Sequence, residues 1–389
     1  MTTTGFSLPA TLTYSSLQRL LPELALAEAV HFIAEPPALV LRGETKDDSL
    51  GDRVAAGLSR LGLTWRAQAV LNTTDYGDLS LYQHADAVLT VIVPAGRDLP
   101  SELAATLAAW NVELRGMRRL SLAAPGEELA LELYLDDWTR CADRRGTLQE
   151  LAIRWEVDLA LAPSDSKRPR RRLIAFDMDS TLIQCEVIDE LARRAGVGDE
   201  VAAVTARAMR GELDFRSSFR ERMSKLRGLH ASEIQAVGAS LPLMPGALSL
   251  LRTLRSQGHY TVILSGGFDY FAKQVQTQIG IDEVHANHLQ IVEDRLSGEV
   301  EGEIVDGERK ALLLAEIAKR EGFELCDTVA VGDGANDLPM LAAAGLGVAF
   351  HAKPLVRKTA PCAINHSTLE GLLYVLGVPR GGVSNIGPN

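Results

Sequence analysis

The sequence is poor in cysteine and has no long apolar run. Only four of its 389 residues are cysteines, and they stand far apart with no CxxC pair. This spacing excludes a disulfide scaffold and a zinc finger, and it favours a reducing compartment. No run of about 18 apolar residues occurs, which excludes a transmembrane helix. We expect a cytoplasmic protein without a signal peptide, because the first basic residue is Arg19.

The sequence also lacks an excess of positive charge. Its formal net charge is −11 at pH 7, and neither half of the chain is basic. Because contacts to a phosphate backbone require clustered lysine and arginine, this balance excludes nucleic acid as a partner. The apolar pattern likewise gives no reason to expect a membrane partner. An anionic substrate would have to be met by local positive charge or by a bound cation.

The length predicts two to three domains of about 150 residues each. The clearest boundary is a linker at 163–172, where proline, serine and a basic run follow one another. Proline and serine interrupt regular structure and the charges stay solvated, so binding to an acidic partner is the less favoured interpretation. The linker separates an N-terminal half from residues 173–389.

The N-terminal half shows two patterns. Residues 1–80 are an α/β segment of uncertain fold, with strands expected at 38–42 and 64–71 around a helix at 50–62. Residues 81–162 follow the order β-α-β-β-α-β. That order resembles an ACT-like or ferredoxin-like α+β domain, and any other small α+β domain is the alternative.

Short apolar strands alternate with helices in the C-terminal half. This alternation is typical of an α/β fold with a doubly wound parallel sheet. The four strands are Leu173–Phe176, Tyr260–Leu264, Thr328–Val331 and Gly347–Ala349. Within residues 184–244 only helices are predicted, at 185–195, 199–210, 215–227 and 232–239. An all-helical insert there indicates a cap over the carboxyl ends of the strands, where open α/β sheets bind ligands.

Two carboxylates end the first of these strands. Asp177 and Asp179 follow Phe176, and an apolar strand does not normally finish with two acidic residues one residue apart. A single aspartate there could cap a helix. Two aspartates form a like-charged pair that requires a cation or a raised pKa. The pair indicates a functional site, with a chance turn as the alternative.

Three further motifs stand at strand ends or helix starts. Ser265-Gly266-Gly267 ends the second strand and can present backbone N–H groups to an anion. Lys310 opens a helix, where its charge opposes the helix dipole. The third strand runs into Gly332-Asp333-Gly334-Ala335-Asn336-Asp337, whose hard oxygen ligands suit Mg²⁺. Each motif alone could be a turn, a cap or a surface residue, but in this order all of them can converge on one crevice.

Together the motifs resemble those of the haloacid dehalogenase phosphohydrolase superfamily, and within it the bacterial type of phosphoserine phosphatase. The resemblance covers about residues 172–378 and includes the cap stretches 208–215 and 241–246. The N-terminal half adds only the ACT-like pattern, which some bacterial members also carry.

The resemblance implies Mg²⁺-dependent hydrolysis of O-phospho-L-serine to L-serine and phosphate, the last step of serine biosynthesis. Asp177 would be the nucleophile and form an aspartyl-phosphate, and Asp179 would act as general acid and base. The metal would lie between Asp177, the backbone carbonyl of Asp179, and Asp333, while Asp337 and Asn336 would hold the metal's waters and position Asp333. The phosphoryl group would be bound by Ser265, Gly266, Gly267, Lys310 and Asn336.

The resemblance assigns recognition of the amino acid to the cap. Glu186 would bind the ammonium group and Arg222 the carboxylate, with Met209 and Phe215 lining the cap. Arg220 competes for the role of Arg222, and both charged residues could instead be solvated helix residues. Two other functions stay open, a related small-molecule phosphomonoesterase of the same superfamily and a non-catalytic amino-acid sensor. For the N-terminal half we expect self-association, as in a homodimer, or serine sensing.

Overall fold

The structure is a computed structural model, and it describes only part of the chain. The described residues are 85–100, 102–112, 114–121, 128–164 and 171–379, with the strands at 2–9, 29–35, 38–45 and 66–69. The predicted helix at 50–62 and residues 165–170 of the predicted linker lie outside them. No helix in the described part is both long and apolar enough to cross a membrane.

The chain forms two compact units. The first comprises Met1–Arg168, Ile364–Ser367 and Gly371–Asn389, and the second comprises Pro169–Ala363 and Thr368–Glu370. The boundaries drawn above from the sequence, including a catalytic core that runs to residue 389, stay predictions.

The first unit contains an eight-stranded antiparallel sheet. Its strands lie side by side in the order β4-β1-β3-β2-β6-β7-β5-β8. They are β1 (Thr2–Pro9), β2 (Ala29–Glu35), β3 (Ala38–Thr45), β4 (Arg66–Ala69), β5 (Ala87–Val93), β6 (Leu114–Arg119), β7 (Leu129–Leu135) and β8 (Asp158–Pro163). The helices are α1 (Leu103–Ala109), α2 (Trp138–Ala142), α3 (Arg145–Trp155) and a C-terminal helix at Gly371–Val375.

From β5 to β8 the elements follow the order expected from the sequence, with α2 as an additional short helix. The ACT-like assignment itself stays a prediction. A buried carboxylate stabilises this unit, because Asp158 accepts backbone N–H groups from Asn365 at 2.6 Å and from Ser367 at 2.8 Å. His366 donates to both oxygens of the same carboxylate.

The second unit is built on a seven-stranded sheet in the order β12-β11-β10-β9-β13-β14-β15. The strands are β9 (Leu173–Phe176), β10 (Tyr260–Phe268), β11 (Glu283–Val292), β12 (Arg295–Glu301), β13 (Thr328–Gly332), β14 (Leu346–Phe350) and β15 (Cys362–Ile364). Strands β11, β10, β9, β13 and β14 are joined by parallel pairing. This arrangement confirms the predicted doubly wound α/β fold, and the four predicted strands are all present.

Helices pack around this sheet because each has an apolar face. They are α8 (Ala247–Ser256), α9 (Asp269–Ile279), α10 (Gly307–Arg320), α11 (Leu338–Ala343) and α12 (Pro354–Thr359), with short 3-10 turns at Leu325–Asp327 and Ala335–Asp337. Leu313, Leu314 and Ile317 of α10, for example, are buried in one cluster with Leu173 and Val262 of the sheet. Burial of such side chains stabilises each one by about 1.5–3 kcal/mol.

The predicted all-helical cap is present between β9 and α8. It consists of α4 (Val187–Ala195), α5 (Gly198–Met209), α6 (Phe215–Lys225) and α7 (Ala231–Gly238). Asp214 begins α6 as its N-cap, because its carboxylate accepts the backbone N–H of Ser217 at 2.7 Å. The Asp214 N-cap therefore determines where the helix that contains Phe215 and Arg222 begins.

The hairpin of β11 and β12 was not predicted from the sequence. The strands are joined by Glu293 and Asp294, which both have positive φ (49° and 58°) and lie between the paired residues Val292 and Arg295. A two-residue hairpin turn of this kind normally carries Asn-Gly or Asp-Gly. The pair Glu-Asp gives no such signal.

Candidate active site

The candidate active site lies at the carboxyl ends of three neighbouring strands. Asp177 follows β9, which pairs with β10 on one side and with β13 on the other. Asp333 follows β13, and Ser265–Gly267 belong to the last part of β10. Strands β10 and β11 lie on one side of β9, and strands β13 and β14 lie on its other side. The strand order therefore reverses at β9, and ligand-binding crevices form at such points in open α/β sheets.

A buried ammonium group holds two carboxylates of this site. Lys310 Nζ lies 2.7 Å from Asp177 Oδ1 and 2.6 Å from Asp337 Oδ1. Burial by itself lowers the pKa of Lys310, but the two carboxylates outweigh it and raise that pKa above its ordinary value. Lys310 therefore stays charged and fixes the orientation of Asp177. The helix α10 begins three residues earlier than expected, with Asp306 as its N-cap.

Three carboxylates lie close together near this lysine. Oxygen atoms of Asp177, Asp333 and Asp337 lie within 4.8 Å of one another, and all three residues are buried. Burial raises the pKa of Asp333 to about 6, although the nearby Lys353 acts to lower it. One buried ammonium cannot compensate three carboxylates, so the cluster favours a further cation.

The hydrogen bonds of Asp337 distinguish it from the other two aspartates. Its Oδ1 accepts from Lys310, and its Oδ2 accepts the backbone N–H of Gly334 at 2.9 Å. Asp177 and Asp333 are thus better placed than Asp337 to bind a divalent cation directly. Their hard oxygen donors fit Mg²⁺, which uses one or two carboxylates and completes its shell with water and substrate.

Asp179 connects the end of β9 with the first helix of the cap. Its Oδ1 accepts the backbone N–H of Val187, the first residue of α4, at 2.9 Å. Burial, and then the neighbouring Glu186 carboxylate, raise the pKa of Asp179 to about 8. A carboxyl group with this pKa is protonated at neutral pH and can donate a proton, as a general acid must.

Two glycines allow the backbone of β10 to approach the acidic residues. A Cβ atom on Gly267 would collide with Asp179 Oδ2, and one on Gly266 would lie 3.0 Å from Phe215 Cζ. The fully buried Ser265 accepts the backbone N–H of Gly267 through its Oγ at 2.9 Å. The predicted Ser-Gly-Gly motif therefore lies in the last part of β10, close to Asp179 and to Phe215 of the cap.

Asn287 was not predicted from the sequence, and it holds Gly266 and Gly267 in place. Its buried side-chain amide donates to the carbonyl oxygens of Gly266 at 2.9 Å and Gly267 at 3.2 Å, and its Oδ1 accepts the N–H of Val305 at 2.9 Å. Asn287 lies on β11, in the hairpin that was itself missed. Its direct neighbours in the chain are Ala286 and His288, so no run of apolar residues marked it as part of a strand.

The cap closes a cavity of about 660 Å³ over Asp177 and Asp179. Most of the predicted substrate-binding residues line it, namely Glu186, Met209, Phe215, Arg222, Gly266, Gly267 and Asn336, and so does Asp333. Ser265 and Lys310 are fully buried and do not line the cavity. They lie behind the residues that do.

Arg222 lines the cavity and has a buried hydrogen-bond donor that a ligand could satisfy. Its Nε is buried and has no hydrogen-bond partner among the residues that the structure describes. A buried polar group without a partner is costly, and a bound carboxylate would satisfy it. Arg220 is exposed and does not line the cavity. The geometry thus favours Arg222 over Arg220.

Two further charged residues line the cavity and were not singled out from the sequence. Asp189 lies in the first turn of α4, three residues after Glu186, which is the N-cap residue of that helix, and this spacing could have identified it. Lys353 approaches Asp333, with 3.5 Å between Lys353 Nζ and Asp333 Oδ2. No motif or helical spacing marks Lys353 in the sequence.

The chain is similar to known hydrolases and phosphatases. Residues 174–342 match the haloacid dehalogenase-like hydrolase family. A phosphoserine phosphatase of Streptomyces coelicolor is 44% identical over 292 residues, which cover 75% of this chain and 71% of that protein. The unliganded structure of a probable phosphoserine phosphatase from Vibrio cholerae has a TM-score of 0.60 and 38% identity, covering 76% of this chain and 87% of that one. A phospho-aspartyl intermediate analogue of phosphoserine phosphatase has a TM-score of 0.50 and 41% identity, covering 52% and 98%.

Proposed function

The chain belongs to the phosphoserine phosphatase family of haloacid dehalogenase-like hydrolases, and on this basis we propose that it hydrolyses O-phospho-L-serine through an aspartyl-phosphate on Asp177. One observation carries the proposal. The cavity that contains Asp177 and Asp179 is also lined by Glu186 and Arg222, which have the charges that match an amino-acid ammonium and carboxylate.

Mg²⁺ is the cation that we propose for the acidic cluster. Asp177 and Asp333 would hold it, together with the backbone carbonyl of Asp179, and Asp337 would position Asp333 rather than bind directly. When bound, Mg²⁺ neutralises charge on the phosphoryl group and orients it for attack. Phosphatases of this superfamily generally use this metal.

Asp177 performs the first chemical step. One of its carboxylate oxygens attacks phosphorus, and the bond between phosphorus and the serine oxygen breaks. Lys310 fixes Asp177 for this attack through the contact at 2.7 Å. Asp179 gives its proton to the departing serine oxygen, a step for which its raised pKa of about 8 prepares it.

Asp179 reverses its role in the second step. As a carboxylate it takes a proton from a water molecule, the water oxygen attacks phosphorus, and the bond between phosphorus and Asp177 breaks. Phosphate leaves and Asp179 is again protonated. Gly266, Gly267 and Asn336, which line the cavity, would bind phosphoryl oxygens in both steps, because phosphoryl transfer depends mainly on positioning and charge stabilisation.

Selectivity for phosphoserine would come from the cap. Glu186 attracts the substrate ammonium, and its Oε1 accepts a hydrogen bond from Ser180 Oγ at 3.1 Å, which orients it. Arg222 binds the carboxylate, while Met209 and Phe215 cover the site. The N-terminal unit remains the predicted place of self-association or serine sensing.

Phosphate release in the presence of Mg²⁺ tests the function. We expect fast release from O-phospho-L-serine and much slower release from phosphoethanolamine, which lacks the carboxylate. Asp177→Asn should abolish release, whereas Asp199→Asn, at an exposed position of α5, should not. Equal rates for both substrates would favour a less selective phosphomonoesterase. No release above the Asp177→Asn background would contradict an enzyme and leave an amino-acid sensor.

A further inference from the structure

Lys353 is a charged residue of the cavity for which the proposed reaction has no role. It follows β14 and precedes Pro354, the first residue of α12. Its backbone N–H donates to the carbonyl oxygen of Asp333 at 3.1 Å, so the two loops are fastened together. Its side chain reaches back to the same residue, with Nζ 3.5 Å from Asp333 Oδ2.

The two lysines of the site differ in their freedom to move. Lys310 is fully buried and bonded to two carboxylates. The side chain of Lys353 is 47% exposed and contacts only one carboxylate in the described part of the chain. A long side chain that is about half exposed and has a single ionic contact can change rotamer at small cost. Lys353 can therefore leave Asp333, whereas Lys310 cannot leave Asp177.

The position of Lys353 is electrostatically unusual. A cation at the start of a helix opposes the helix dipole. Burial acts to lower the pKa of Lys353, but the carboxylates of Asp333, Glu186 and Asp337 outweigh it and raise that pKa. The ammonium is thus charged and is drawn toward the metal-binding side of the site.

We propose that the ammonium of Lys353 competes with the divalent cation for the carboxylate of Asp333 and so weakens metal binding. This inference rests on the metal site of the proposed function. The ammonium and the cation share one carboxylate, and their like charges repel each other at this distance. Metal binding must therefore displace the ammonium of Lys353 from Asp333, and the partial exposure of Lys353 permits this movement. The cost of this displacement makes the free energy of metal binding less favourable.

Metal binding without substrate tests this role independently of activity. The full chain is titrated with Mn²⁺, and the free ion is followed by electron paramagnetic resonance at a pH above the titration range of Asp333. The variants are Lys353→Met, which removes the charge at similar length, and Lys353→Arg, which keeps it. Lys358→Met is the matched control, because Lys358 is an exposed lysine of α12, the helix that Lys353 precedes.

We expect Lys353→Met to lower the Mn²⁺ dissociation constant roughly three- to tenfold, as removal of a partly screened like charge should. Lys353→Arg and Lys358→Met should stay within about twofold of the parent protein, since the local charge is unchanged. Unchanged or weaker Mn²⁺ binding by Lys353→Met would overturn the inference. If that variant instead bound inorganic phosphate more weakly, the lysine would serve the substrate. A parent protein that hydrolyses phosphoserine but does not bind Mn²⁺ would overturn the inference and leave the hydrolysis intact.

Discussion

Lys310 Nζ and Asp177 Oδ1 lie 2.7 Å apart although 133 residues separate them in the chain. The contact joins the start of α10 to the end of β9, inside a fully buried part of the second unit. It combines two functions in one pair, because the ammonium compensates buried charge and also orients the proposed nucleophile.

Replacement of Lys310 should therefore affect both stability and activity. Lys310→Met would leave Asp177 and Asp337 buried without their counterion, which typically costs about 3–5 kcal/mol. We expect a clear fall in the thermal unfolding temperature and a loss of phosphate release of more than about a hundredfold. Lys319→Met, at an exposed position of the same helix, should change neither. A Lys310→Met protein with normal stability and activity would contradict the role given to this contact.

Gly267 should tolerate no side chain. A Cβ atom there would collide with Asp179 Oδ2 and lie 3.0 Å from Met178 Cε, so Gly267→Ala must displace the proposed general acid. We expect a loss of activity of at least about tenfold, since small misplacements of reacting groups are costly. Gly198→Ala, in the cap, is the matched control, because its nearest neighbour would be Arg193 Cγ at an ordinary 3.7 Å. If Gly267→Ala kept the same kcat as Gly198→Ala, the close approach of Asp179 to Gly267 would not matter for the reaction.

Arg222 should determine the preference for a substrate carboxylate. Arg222→Lys keeps the charge but loses the bidentate geometry of the guanidinium. We expect kcat/KM for phosphoserine to fall roughly a hundredfold, as for the loss of a charge-assisted hydrogen-bond pair, and kcat/KM for phosphoethanolamine to change little. Arg220→Lys should leave both substrates unaffected. A parallel loss for both substrates in Arg222→Lys would assign this residue to the structure of the cap instead.

The reaction should slow in alkaline solution. Asp179 must be protonated to assist the leaving serine oxygen, and its pKa is raised to about 8 by burial and by Glu186. The protonated form is present below this pKa and is lost as the pH rises through it. Above about pH 8, kcat/KM should thus fall by about tenfold per pH unit. In Asp179→Asn the residual kcat/KM should not fall in this way above about pH 8. An unchanged fall in that variant would show that another group causes it.

Much of the second unit could be predicted because its strands are apolar and buried. Leu173–Phe176 is observed with the predicted bounds, and the cap helices differ from prediction by only a few residues. The motif residues were predictable as well, because carboxylates and glycines at the ends of apolar strands are conspicuous. The carboxyl ends of parallel strands meet at one edge, which brings Asp177 and Asp333 together.

The parts that were missed have a common physical cause. Asn287 and Lys353 act through contacts with residues far away in the chain, and neither stands in a pattern that reveals its partner. The hairpin at β11 and β12 is half exposed and uses a turn without glycine. In the first unit, β1 and β2 lie in a stretch where the sequence shows little pattern. The order of hydrogen-bonded neighbours in a sheet depends on such long-range pairing.

The central claim is that phosphoserine phosphorylates Asp177. It is tested most directly by mixing the full chain with Mg²⁺ and O-phospho-L-serine labelled at phosphorus, quenching in acid within one turnover, and mapping the labelled peptide. We predict acid-stable label on the peptide that contains Asp177 and none in Asp177→Asn. Release of labelled phosphate without labelled protein, or label on a different residue, would contradict the account.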